Sequence, residues 1–171
     1  FIVTMDSQRR IIRDGSILLE GQRISAVGKS DEISKINADR VINGQDMVVT
    51  PGFVNGHCHI SYAHATRGVF PDDLGSEYLA NVFRLQSSMS AEEEHYTSLL
   101  AITELLSYGT TTIMDPGSTK HVDACMGAYE QSGLRIITGT QITDRKNPYR
   151  MPVYTHSEAL NATENFINQF S

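Results

Sequence analysis

Hydrophobic and polar positions along the chain change rhythm near residue 50. Before it, short β-branched and apolar runs alternate with turn residues: Phe1-Ile-Val-Thr4, Arg10-Ile-Ile-Arg13, Ser16-Ile-Leu-Leu19 and Ile24 to Val27. Asp14-Gly15 and Glu20-Gly21 punctuate these runs, so the segment predicts a β-meander. Ser30 to Ala38 predicts a helical turn or two, and Val41-Ile42 and Met47-Val-Val-Thr50 return to extended chain. Pro51-Gly52 then marks the change of pattern.

Phe53 to Ile60 alternates with period two. That predicts a strand with Phe53, Asn55, His57 and His59 on one face and Val54, Gly56 and Cys58 on the other. A long polar, Gly-containing segment follows, and Glu77 to Leu85 is expected to supply a helix within it. Ser90 and Glu93 have the spacing of a capping box, Glu92 to Glu94 suit the positive end of a helix dipole, and Gly109 is the expected stop. Tyr96, Leu99, Leu100, Thr103 and Leu106, widened by Ile102 and Leu105, predict the core-facing stripe of that helix. Thr110 to Met114 carries no charge and reads as a strand buried on both sides. Val122 to Gln131, stopped by Gly133, predicts a helix, Leu134 to Ile142 a strand, and Ser157 to Phe170 a helix. The order β, α, β, α, β, α implies a parallel sheet with helical crossovers. The expected division is therefore a small β region over residues 1–50 and an α/β region over 51–171.

The bulk numbers exclude more than they identify. A chain of 171 residues with 40% apolar positions can bury a core. The formal charge is -6, and no basic cluster exceeds Arg9-Arg10 or Arg145-Lys146, so nucleic acid is not an expected partner. Residues 1–50 carry 7 basic and 7 acidic side chains and residues 51–171 carry 7 and 13, an asymmetry that ordinary solvated helix faces explain. There is no apolar run of about 18–20 residues, so no membrane span is expected. Two separated cysteines, Cys58 and Cys125, fit a reducing cytoplasm better than a disulfide framework. Phe1 in place of an initiator methionine leads to the expectation that the natural chain has residues before it.

The candidate chemistry lies in His57 and His59. Two imidazoles on one face, two residues apart, can hold one ion, and neutral imidazole suits zinc, iron and related metals. The alternative for a bare H-x-H is a pair of packed core histidines. Position favours the metal: the carboxyl end of the first strand of an α/β alternation is where such folds place catalytic groups.

Val48-Val-Thr-Pro-Gly-Phe-Val-Asn-Gly-His-Cys-His59 resembles the first-strand motif of the amidohydrolase superfamily. Asp14-Gly15, Ile17-Leu-Leu19 and Ile24-Ser-Ala-Val-Gly28 resemble the β-sandwich that begins those enzymes. Thr66-Arg67-Gly68, the Ser90 helix and Ser107-Tyr-Gly-Thr-Thr-Thr-Ile-Met-Asp115 are similar to the branch of cytosine, guanine and thioadenosine deaminases and triazine hydrolases. The resemblance implies the amino-terminal part of a (β/α)8 TIM barrel with a small N-terminal β-sandwich domain. It implies one divalent metal, zinc before iron, with His57 and His59 as ligands and the remaining ligands and acid/base groups beyond Ser171. The implied reaction is hydrolysis of a C–N or C–halogen bond of a heterocyclic small-molecule substrate, by water activated on the ion. Rival expectations are a cyclic-amide hydrolase of the dihydropyrimidinase or imidazolonepropionase type, and a non-catalytic fragment. A homo-oligomer is compatible with either.

Within this resemblance, Gln86 takes the position where nucleoside-deaminating members usually carry a substrate-contacting Glu, and some triazine hydrolases also have Gln there. A solvent-facing Gln at a helix end is the alternative. Tyr78 stands near a Trp common in relatives, and Arg67 is expected to shape or cap the loop beside the metal. Asp115 ends the second barrel strand and faces the mouth, with a structural cap as the equal alternative. His64, His95, His121 and His156 lack a partner at ligand spacing and are expected on the surface or in loops.

Overall fold

The computed structural model describes residues 1–33, 36–117, 119–146 and 152–170. The chain divides into two compact units, Phe1–Gly52 and Phe53–Ser171.

In the first unit, β1 (Ile2–Val3) pairs antiparallel with β2 (Ile11–Ile12), and β3 (Gly15–Glu20) pairs antiparallel with β4 (Arg23–Lys29). The β3–β4 hairpin closes through Gly21, whose φ of 58° suits glycine best. Ile2 and Ile12 are buried against one another's strands, and Val49 bridges to Ile2. Two antiparallel pairs are therefore present. The predicted helix over Ser30 to Ala38 is shorter, α1 (Ser30–Ile33), with Ser34 and Lys35 outside the described residues. Val41 and Ile42 form no strand and are exposed.

The second unit is α/β. Its sheet has the order β5 (Phe53–Asn55), β6 (Thr110–Asp115), β7 (Arg135–Thr138), and both pairings are parallel, as the alternation of elements predicts. Between β5 and β6 run α2 (Ser61–Thr66), a short 3-10 turn at Asp72–Leu74, α3 (Ser76–Ser88) and α4 (Ala91–Ser107). Between β6 and β7 lies α5 (Val122–Ser132), and α6 (His156–Phe170) follows. The helix ends follow local chemistry. Ser90 Oγ accepts the Glu93 N–H at 3.2 Å and Ser90 N–H donates to Glu93 Oε2 at 2.7 Å, completing the capping box. Gly133 ends α5 in the left-handed region at φ 67°. At α6, Thr155 and Glu158 form a second reciprocal cap that the sequence pattern T-x-x-E carries.

The core gathers Ile60, Ala101, Ile102, Ile113, Cys125, Ala128, Tyr129 and Leu134. Full burial of a side chain such as Ile60, Ile102 or Ile113 contributes about 1.5–3 kcal/mol. Two expectations need correction here. The buried face of α4 runs through Glu94, Ser98, Ala101 and Ile102, while Tyr96, Leu100 and Leu106 are exposed. Apolar residues surround this helix, so their periodicity leaves its phase ambiguous. Small Ser98 and Ala101 set the phase, because α4 packs on the Cys125–Ala128 side of α5. Strand β6 is buried at Thr110, Ile113 and Asp115 but open at Thr111 and Met114, so it is not covered on both faces.

Replacing the cap Ser90 with Ala should destabilise the protein by about 1 kcal/mol. A urea titration should show a lower midpoint at unchanged slope.

Candidate metal centre

Strand β5 is three residues long, not the eight predicted, and the reason is a side chain. Asn55 Oδ1 accepts the His57 N–H at 3.1 Å, turning the chain at Gly56. Cys58 N–H then donates to Met114 O at 2.9 Å, so the chain rejoins β6 beyond the turn. His57 and His59 still come together, although period-two alternation is not what aligns them. Their ring centroids lie 4.9 Å apart with planes at 88°.

With metal–nitrogen bonds of about 2.0–2.1 Å and tetrahedral angles, two imidazoles on one ion have centroids about 5 Å apart. The observed spacing fits. His59 is half-buried, and its Nδ1 is buried with no hydrogen-bond partner. Burial lowers the His59 pKa below its ordinary 6.5, aided by His57 and opposed by Asp115. The ring is therefore neutral near pH 7, the form that ligates metals. Burial, reinforced by Asp115, raises the Cys58 pKa, so its thiol stays protonated and is not a thiolate donor. Among the described residues, no group of three or more His, Cys, Asp or Glu is placed to hold an ion.

Asp115 lies at the carboxyl end of β6, and its carboxylate is engaged. Oδ1 accepts the Gly117 N–H at 2.9 Å and Oδ2 accepts the Tyr129 hydroxyl. Burial and the adjoining carboxylate push the Tyr129 phenol far up, so it remains a donor. Next to this cap, Gly117 has φ 78°, and a Cβ there would sit 1.7 Å from Gly139 O. The loops after β6 and β7 thus meet backbone to backbone.

Beside the histidine pair, Tyr62 stacks on His59 with centroids 5.1 Å apart and lines an open groove of about 770 Å³. Phe70, Tyr78, Leu79, Val82 and Arg67 also line it. Arg67 does not merely cap the loop: its guanidinium grips Glu104 through both nitrogens, and His64 Nε2 lies 2.6 Å from Glu104 Oε2. His64 is accordingly not a surface histidine. His95 faces Ala124 O at 2.9 Å and His121 faces Met89 O at 3.1 Å, both half-buried, whereas His156 is exposed.

Gln86 is neither solvent-facing nor on the groove lining. It is 5% exposed, and its Nε2 donates to Glu94 Oε1 at 3.3 Å and Ser61 Oγ at 3.5 Å. Glu94, wholly buried, also accepts the Lys120 and His121 N–H groups at 3.1 and 2.5 Å. The sequence placed Glu94 with Glu92 and Glu93 as acids suited to the positive end of the α4 dipole. The helical spacing of Glu94, Ser98, Ala101, Ile102 and Leu105 was the signal that places it inward.

The sequence model of the amidohydrolase family matches residues 48–170. The chain belongs to the amidohydrolase family. A 5-methylthioadenosine/S-adenosylhomocysteine deaminase from Caldicellulosiruptor saccharolyticus is 31% identical over 155 residues, covering 88% of this chain and 35% of that protein. Among solved structures, the E. coli guanine deaminase superposes with TM-score 0.74 at 25% identity, over 94% of this chain and 38% of the other. The atrazine chlorohydrolase of Arthrobacter aurescens TC1, solved with zinc, superposes with TM-score 0.72 at 20% identity, over 99% and 41%. The chain spans about a third of the length of the curated relatives it matches, as an amino-terminal part of an amidohydrolase would. Among the described residues, no helix is long and apolar enough to cross a membrane.

The Arg67–His64–Glu104 link makes a pH prediction. Arg67 first, then His64, holds the Glu104 carboxyl at about 2, below its ordinary 4.5. A lowered folded pKa adds stability above the unfolded pKa that is lost as pH falls through the folded one. Glu104→Gln should therefore be less stable than the parent at pH 7. The gap should narrow from pH 4.5 toward pH 2, read from denaturant midpoints at stepped pH.

Proposed function

We propose that this chain forms the first strands and two metal ligands, His57 and His59, of a hydrolase that deaminates a nitrogen heterocycle. The observation that carries the reading is the pair of rings 4.9 Å apart at the carboxyl end of β5. A buried Nδ1 without a protein partner and a neutral His59 support it. Zinc is the favoured ion, since imidazole nitrogens suit it and it tolerates further ligands from elsewhere. The proposed complete fold is a (β/α)8 barrel with a small β-sandwich.

His57 and His59 would hold a divalent ion there, and the chemistry it would supply is a lowering of the pKa of water, from 15.7 to about 7, for hydrolysis at the ring carbon bearing the amino group. His57 and His59 present lone pairs to that ion from a turn fixed by Asn55. Tyr62 restrains the His59 ring, and the aromatic sides of Tyr62, Phe70 and Tyr78 offer a face against which a planar heterocycle stacks. Relatives at 31% and 33% identity carry the names of deaminases, which supports cleavage of a C–N bond in preference to a C–halogen bond.

The test uses the longest natural protein containing this sequence. Metal content and ammonia release are measured with 5'-methylthioadenosine, 5'-deoxyadenosine, guanine, cytosine and an aminotriazine. His57→Ala and His59→Ala should each lose bound metal and reduce turnover by more than the 10–100-fold typical of losing an outer partner of a metal site. Parental metal content in both variants would sink the ligand assignment. Absence of ammonia release from every compound by the parent protein would sink the deaminase reading.

A further inference from the structure

The buried polar chain Ser61–Gln86–Glu94 carries an inference that rests on the metal-site reading above and deepens it. Ser61 is two residues beyond His59, and Ile60 and Ser61 are each 1% exposed. Tyr62 packs on both His59 and Phe83, with centroids 5.1 and 5.2 Å away. The segment that carries His59 is therefore seated by apolar contacts at positions 60 and 62 and by a hydrogen bond at 61.

That bond comes from Gln86 Nε2, which also donates to Glu94. Glu94 Oε1 and Oε2 accept backbone N–H groups and Oε1 takes the Gln86 NH2 as well, so the NH2 end of the amide faces Glu94 and Ser61. Glu94 is held in turn by the Lys120 and His121 N–H groups at the start of α5. Lys120 Nζ fastens the same loop to the α3–α4 corner through Ser87 O and Met89 O, at 2.8 and 3.0 Å. One carboxylate thus joins the end of α3, the start of α5 and, through Gln86, the start of α2. We infer that Gln86 is a positioning residue for His59, acting through Ser61 and oriented by Glu94, and not a substrate contact.

The Nε2 contacts to Glu94 and Ser61, at 3.3 and 3.5 Å, are longer than the usual 2.9–3.0 Å. The expected effect is therefore at the low end for a partner of a metal ligand, about tenfold in zinc affinity. On the longest natural protein, zinc affinity is measured by chelator competition for the parent, Gln86→Met, Ser61→Ala and the double variant, alongside thermal midpoints. Each single variant should bind zinc about tenfold more weakly, and the double no more weakly than the singles, because both remove one link. Losses that add in the double variant would overturn the inference. So would parental zinc affinity in Gln86→Met, including the case where only its KM for 5'-methylthioadenosine rises. Should the parent bind no zinc, the metal reading fails separately, and amide hydrogen exchange over residues 59–62 decides this one. Faster exchange in both single variants supports it, and parental exchange in both overturns it.

Discussion

Strand β6 must satisfy two edges at once, and the second unit is arranged around that requirement. Its backbone pairs with β5 on one side and β7 on the other, so Ile113 has a strand on either hand and the packed helices above it. A parallel strand cannot reach its neighbour through a tight turn, which is why α2 to α4 and then α5 intervene. The same pairing extends past the regular ladder. Met114 O collects the Cys58 N–H, and this bond, following the Asn55 turn, delivers two imidazoles to one place.

Signals confined to a few residues were readable in the sequence. Ser90 with Glu93 and Gly133 fixed helix ends because capping is chemistry between near neighbours. The approach of the His57 and His59 rings is likewise local, since they lie two residues apart. The length of β5 was not, because alternation of side chains continues through residue 60 while the Asn55 carbonyl oxygen takes a backbone N–H that a longer ladder would use. Nor was the phase of α4, where leucines lie on several sides and the deciding contacts come from α5, a partner no local pattern names. Gln86 illustrates the limit best. Its position relative to Ser90 suggested substrate or solvent; its burial excludes the solvent-facing alternative, and Ser61 and Glu94, 25 and 8 residues away, are among its partners.

The loops that follow the strands are held by directional bonds. Asp115 gathers Gly117 and Tyr129, and Glu94 gathers Lys120, His121 and Gln86. Neither carboxylate has a salt bridge among the described residues. A buried carboxylate satisfied by N–H and O–H donors gains less than an apolar side chain of similar size would, and it is costly when any donor moves. Its effect is to penalise alternative loop positions. Apolar packing alone tolerates small shifts, whereas Gly117 against Gly139 and the two carboxylates restrain the loop positions they touch.

Such restraint bears on the proposed site. Binding an ion to flexible ligands spends part of the binding energy on ordering them, so a pair already at single-ion spacing retains more of it. The two rings differ in how they reach this state. His57 is exposed and anchored through its backbone by Asn55, while His59 is half-buried, stacked on Tyr62 and kept neutral by its burial. The exposed ring has fewer neighbours to restrain it than the half-buried one. In the proposed site His59 is therefore the better-restrained ligand, and the elements that seat it, Ile60 in the core and Ser61 on Gln86, act on the metal through it.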